Sequence, residues 1–234
     1  MTKYDFTFAH REEGFDEHIE HSIRGYSNLL EDIVNLSKYF AEPDTKVVDV
    51  GCSTGKVTKR MISAHIDANI DDAVYEGVEL AEGFSKSLDN REKELNKMFP
   101  NTKVNFIKDD VKYYDFKNCS LVTSIFTLQF MSMKDRENII KKIYNGLNVG
   151  GGFLFAEKLI CTNAKLQEMM TFNYYDYKRK HFEAKDIMDK ERTLRHMLKP
   201  NTWKEIKTMI LNAGFQDVQC FWSNHLFVGA LAIK

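Results

Sequence analysis

Short β-branched and aromatic runs alternate along this chain with longer stretches whose apolar residues return every three or four positions. The first period predicts strands and the second helices, so the pattern as a whole predicts an α/β fold. Residues 16–40 carry a buried helical stripe of Ile19, Ile23, Leu29, Leu30, Ile33 and Leu36, interrupted at Arg24-Gly25-Tyr26-Ser27-Asn28, so two helices are predicted. Val47, Val48 and Val50 form the β-branched run of a buried parallel strand, and residues 56–61 open a helix. Further strands are predicted at 73–80, 103–107, 121–130 (with its exit loop) and 152–159, separated by helices at 83–98 and 134–147. The second of these helices is closed by Asn148 and Gly150 to Gly152. Residues 162–198 have no strand pattern and read as a helical insertion over the active site. A helix at 203–213 and a hairpin of 217–222 with 227–233, bent at Ser223-Asn224, end the chain. The expected architecture is a Rossmann-like, seven-stranded, mostly parallel sheet with an antiparallel last strand, as one domain over 1–234. Residues 1–40 add an N-terminal arm and helices, with Phe6, Phe8 and Phe15 expected to fold over the site or a partner subunit.

Composition narrows the class without naming a function. The 43% apolar fraction fits a globular chain, and a net charge near −1 gives no overall grip on nucleic acid. No apolar run reaches the ~18 residues of a membrane span, and residues 1–16 do not read as a signal peptide. Cys52, Cys119, Cys161 and Cys220 are scattered, with no zinc or redox spacing, which suits reduced thiols in the cytoplasm and no metal.

The chemistry concentrates at 46–61, KVVDVGCSTGKVTKRM. Asp49 ends the strand, Gly51, Cys52, Ser53, Thr54 and Gly55 make a tight turn, and a helix N-terminus follows. Strand, glycine turn and helix dipole together point N–H groups at a ligand above the turn, which by itself indicates a nucleoside site. The pattern D-x-G-x-S-x-G is neither the dinucleotide fingerprint nor a P-loop. Glu79, 24 residues after Gly55 at the end of the second strand, is placed to accept from ribose hydroxyls. Asp110 would face an adenine amino group, with Val111 against the ring. Either carboxylate could instead cap a helix or sit solvated in a loop. Cys52 reads as a small packing residue.

These residues resemble the S-adenosylmethionine site of the Rossmann-like methyltransferase superfamily. Within it, Arg24-Gly25-Tyr26-Ser27-Asn28, Phe126-Thr127-Leu128-Gln129-Phe130, Glu157-Lys158 and Asp176-Tyr177-Lys178-Arg179 resemble the carboxy-S-adenosyl-L-methionine synthase family, from about Phe15 to the C-terminus. The resemblance implies an enzyme that takes S-adenosylmethionine and prephenate, releases phenylpyruvate, and places the lost CO2 on the sulfonium methyl for wobble-uridine modification of tRNA. It also implies a homodimer. Carried over by motif, Tyr26, Gly51, Cys52 and Ser53 contact the cofactor. Glu79 and Leu80 stand where the family has Asp and Asn, and Asp110 with Val111 matches the adenine-side pair. Ile125 replaces a cofactor-contacting Asn. The arginine that binds the product carboxylate falls on Arg192 counting forward from Asp176-Tyr177-Lys178-Arg179, and on Glu191 counting back from Ala213-Gly214-Phe215. A glutamate cannot hold a carboxylate, so Arg192 is expected to serve, with Arg195, Lys178 and Arg179 as fallback cations. Two other readings stand beside this one. They are a methyltransferase acting on a small molecule and a non-catalytic cofactor-binding partner subunit.

Overall fold

The computed structural model describes residues 14–234. Phe6 and Phe8 lie outside the described residues. The predicted break at Gly25 separates α1 (Phe15–Ser22) from α2 (Tyr26–Ser37); Gly25 has φ 76°, a left-handed conformation that glycine adopts without steric cost.

Five strands follow in parallel: β1 (Lys46–Val50), β2 (Val74–Val78), β3 (Lys103–Ile107), β4 (Cys119–Ile125) and β5 (Leu147–Lys158). The crossovers are α3 (Lys56–Asp67), α4 (Ser85–Met98) and α5 (Met133–Gly146). After β5 come α6 (Ala164–Lys178), α7 (Ala184–Met197) and α8 (Trp203–Ala213), then the hairpin β6 (Val218–Asn224) and β7 (Phe227–Ile233). The sheet runs β3-β2-β1-β4-β5-β7-β6, with β7 antiparallel to both neighbours. Strand order reverses between β1 and β4, which is where open α/β sheets bind ligands.

Two apolar layers sandwich the sheet. Alternation along β1 sends Val47 toward α2 and α3, where Leu29, Leu30, Ile33, Met61 and Ile62 are fully buried, and Val48 and Val50 toward α5 and α8. Each such side chain contributes about 1.5–3 kcal/mol on leaving water.

Two boundaries differ from the sequence-based expectation. Strand β5 begins at Leu147, and Gly150 to Gly152, expected to be a helix-ending loop, lie inside it. Gly150 donates to the Lys234 carbonyl and Lys234 donates to that of Gly151, so the C-terminus recruits the glycine segment into the ladder. The hairpin bends at His225-Leu226, not Ser223-Asn224, because Asn224 still pairs with Phe227 and His225 takes φ 48°.

Candidate active site

The glycine turn is built from below. Asp49 is 2% exposed and accepts hydrogen bonds from Thr58 Oγ1 (2.9 Å) and Thr123 Oγ1 (2.8 Å), locking β1 to α3 and β4. Burial pushes its carboxyl above the ordinary range, with both hydroxyl bonds opposing that shift. Asp49 therefore supports the turn from beneath. Gly51, at φ 72°, donates to the Val78 carbonyl (2.8 Å), and a Cβ there would lie 2.2 Å from Thr127 Oγ1. The F-T-L-Q-F motif thus supplies the residue that closes on the turn. Cys52 is buried, and burial pushes its thiol well up, consistent with packing.

Glu79 does more than the sequence indicated. Its Oε2 accepts the Ser53 N–H (2.9 Å) and its Oε1 the Ala81 N–H (2.8 Å), so the carboxylate braces the turn from the end of β2. Burial raises its pKa against those backbone bonds. Asp110 accepts from the Lys112 N–H (2.9 Å) and pairs with its ammonium (3.0 Å), while Val111 is buried beside it. Leu80 is 66% exposed at the rim. Ile125 ends β4 and packs into the α2–α3 layer, so only its backbone offers polar groups to a ligand.

A roof lies over this turn. Thr54 Oγ1 donates to Asp16 (3.1 Å), Lys56 pairs with Glu20 (2.7 Å), and Phe15 meets Phe84 edge-on at 5.0 Å, so α1 is tied to the turn and to the segment after β2. The α6–α7 insertion rests on α1, with the His21 and His181 rings stacked at 4.4 Å. Tyr26, the first residue of α2, is buried beneath; burial and the carboxylates of Asp16, Asp49 and Glu20 raise its phenol pKa strongly. Arg60 opposes these carboxylates, and Glu20 is already paired with Lys56.

Aromatic rings lead from there across the ends of β4 and β5. Tyr26 faces Phe126 at 6.3 Å, Phe126 faces Phe227 at 5.6 Å, and Phe227 faces Tyr174 of α6 at 5.4 Å. Phe126 takes φ 56°, which a bulky side chain rarely adopts. At the far end lies a charged cluster. Lys158 Nζ and Lys178 Nζ stand 3.8 Å and 3.7 Å from the Glu191 carboxylate, and both ammoniums lie 5.2 Å from the Tyr174 ring centre. Gln129, the fourth residue of F-T-L-Q-F, accepts the Lys158 N–H (2.7 Å) and fixes where that lysine leaves the strand.

Arg192, the expected carboxylate ligand, points away. Its side chain is 80% exposed and pairs with Asp189 on the same helix at 3.7 Å. One residue is about 100° of helix rotation, so when Glu191 faces the lysines Arg192 faces solvent. The identity of the residue at a given count was legible; which side of α7 packs on α6 was not. The structure thus brings together Tyr26, Asp49, Gly51, Cys52, Ser53, Gly55 and Glu79, with Ile125 at the end of the neighbouring β4, and leaves Arg192 outside. Sequence reasoning does not place Lys158 in this charged cluster, although Glu157-Lys158 is one of the motifs that carry the resemblance.

Comparison with known proteins agrees with this fold. A methyltransferase-domain family model matches residues 47–151. The carboxy-S-adenosyl-L-methionine synthase of Staphylococcus epidermidis is 34% identical over 94% of this chain and 92% of its own. That of Vibrio vulnificus is 32% identical over 98% and 92%. Among solved structures, an O-methyltransferase family protein from Burkholderia thailandensis superposes with TM-score 0.62 at 13% identity, covering 97% of this chain and 61% of that one. Magnesium protoporphyrin IX methyltransferase from Synechocystis with bound SAH gives 0.61 at 12% identity, covering 92% and 87%. The chain belongs to the carboxy-S-adenosyl-L-methionine synthase family, on the fold of the S-adenosylmethionine-dependent methyltransferases.

Proposed function

We propose that this protein converts S-adenosylmethionine and prephenate to carboxy-S-adenosylmethionine and phenylpyruvate, supplying wobble-uridine modification of tRNA. The observation that carries the reading is the convergence of the two family-specific motifs on the glycine turn: Tyr26 from R-G-Y-S-N meets Phe126 from F-T-L-Q-F, and Thr127 closes on Gly51. The residues fit the cofactor. Glu79 suits ribose hydroxyls, Asp110 an adenine amino group and Val111 the ring face. Asp16, beside the turn at Thr54, is an anion suited to a sulfonium.

A sulfonium acidifies its attached methyl, so that carbon, on losing a proton, can take up the CO2 that prephenate loses. Prephenate also releases hydroxide as its ring becomes aromatic, and this combines with the methyl proton as water. The protein's part is to hold both partners side by side and exclude bulk water, a task for the roof of α1, α6 and α7. The exposed stripe of Leu166, Met169 and Phe172 on α6, each 50–60% exposed, supports a homodimer. Among the described residues no helix is long and apolar enough to cross a membrane. The four free cysteines suit a reducing compartment such as the cytoplasm.

A second reading, methyl transfer to a small molecule, is favoured by Glu191 facing the position where the resemblance asks for a cation. Mass analysis of nucleosides after incubation with S-adenosylmethionine and prephenate separates the two. A sulfonium nucleoside heavier by one CO2, with phenylpyruvate released, supports the synthase. Unmodified S-adenosylmethionine with no phenylpyruvate refutes it.

A further inference from the structure

The Lys158–Lys178–Glu191 cluster has a charge imbalance that the fold does not correct. Lys178 is 1% exposed, yet its ammonium has no hydrogen bond among the described residues, and Glu191 Oε1 has none either. The ammonium–carboxylate separations of 3.7–3.8 Å are ion pairs too long to be hydrogen bonds. Two ammoniums share one carboxylate, leaving one positive charge over. Glu157 does not supply the missing anion: it precedes Lys158 on β5, so it faces the opposite side of the sheet, where Arg136 is its main charge partner. An uncompensated cation held out of water is costly unless something binds it.

What would bind is defined by the surroundings. The Tyr174 ring is shared by both ammoniums, Phe227 lies 5.9 Å from Lys158 Nζ, and the aromatic path through Phe126 leads to Tyr26 at the cofactor turn. We infer that Lys158 and Lys178 form the anion subsite for the carboxylate of the second substrate, a small ring-bearing carboxylic acid, with Glu191 as an internal carboxylate that partly occupies it. The ligand carboxylate neutralises the surplus charge, and its ring lies along Tyr174 and Phe227. This assigns the acid to a lysine pair on β5 and α6. It rests on the proposed function for the identity of the acid, but not for its class.

The test uses the full chain saturated with S-adenosylhomocysteine and phenylpyruvate as probe, followed by calorimetry. Lys158→Met and Lys178→Met each weaken phenylpyruvate binding at least tenfold while the dissociation constant for S-adenosylhomocysteine stays that of wild type, which also certifies folding. Glu191→Gln tightens the probe several-fold by removing the internal competitor. Phenylethanol, which has the ring without the carboxylate, binds wild type and both Met variants equally. Wild-type affinity for phenylpyruvate in both Met variants, or no binding by wild type, overturns the inference. The outcomes separate this inference from the function it rests on. Lysine-dependent binding with no carboxylated product from prephenate keeps the subsite and rejects the synthase. Product formation with an unchanged KM for prephenate in both Met variants keeps the synthase and rejects the subsite.

Discussion

His65 gives a prediction whose size follows from the structure. It is fully buried at the end of α3. Ser37 donates its hydroxyl to the Val34 carbonyl (2.7 Å) and so receives a proton from His65 Nε2 (2.7 Å), leaving Nδ1 to accept from the Tyr75 hydroxyl (2.8 Å). The neutral ring thus ties α2, which carries Tyr26, to α3, which carries the glycine turn, and to β2. Burial, with Lys38 adding to it, lowers its pKa from 6.5 to about 4. Because the folded value is depressed for a base, the unfolded chain binds more protons between those values. Stability is therefore lost as pH falls through that window, and the loss at pH 5 relative to pH 7 is about 2 kcal/mol. Glu157, raised by burial to about 8, acts in the opposite sense over the same range, so the wild-type curve alone hides the effect. The comparison is therefore with His65→Gln, in which the Glu157 contribution cancels. Urea unfolding at several pH values, at constant m, should show the wild-type advantage over His65→Gln shrinking by about 2 kcal/mol between pH 7 and pH 5. An advantage independent of pH would refute the argument that His65 is held neutral.

Three further outcomes follow from the turn. Gly51→Ala sets a Cβ 2.2 Å from Thr127 Oγ1 at a left-handed φ and should cost about 1–3 kcal/mol in thermal unfolding while abolishing S-adenosylmethionine binding. Glu79→Ala removes the acceptor for Ser53 and Ala81 N–H as well as the carboxylate proposed for the ribose, so calorimetry should show cofactor affinity falling at least ~30-fold, about 2 kcal/mol. Asp49→Asn leaves one of the Thr58 and Thr123 hydroxyls facing an amide donor, and should lower stability by about 1–3 kcal/mol without changing which ligand binds.

The elements that sequence made legible are those whose cause is local. The period of apolar residues in α2, the β-branched run of β1 and the break at Gly25 are dictated by neighbours within a few positions, and so is the position of Glu79 at the end of β2. The β5 boundary was not local: Gly150 to Gly152 read as a helix stop until the C-terminal Lys234 pairs with them. Phe15 was legible as a covering residue, but its partner, Phe84 after β2, is supplied only by the fold.

The chain by itself determined its family, its glycine turn and the identities of the charges available to the cluster between β5, α6 and α7. The tertiary structure alone decided which of those charges face inward. On α7 a single residue step turns the side chain about 100°, and only packing against Lys158 and Lys178 selects Glu191 for the interior and leaves Arg192 in water. Lys158 enters the cluster for the same kind of reason: it needs β5 beside β7, the Gln129 side-chain Oε1 on its N–H and α6 folded across it, contacts made by residues far apart in the chain.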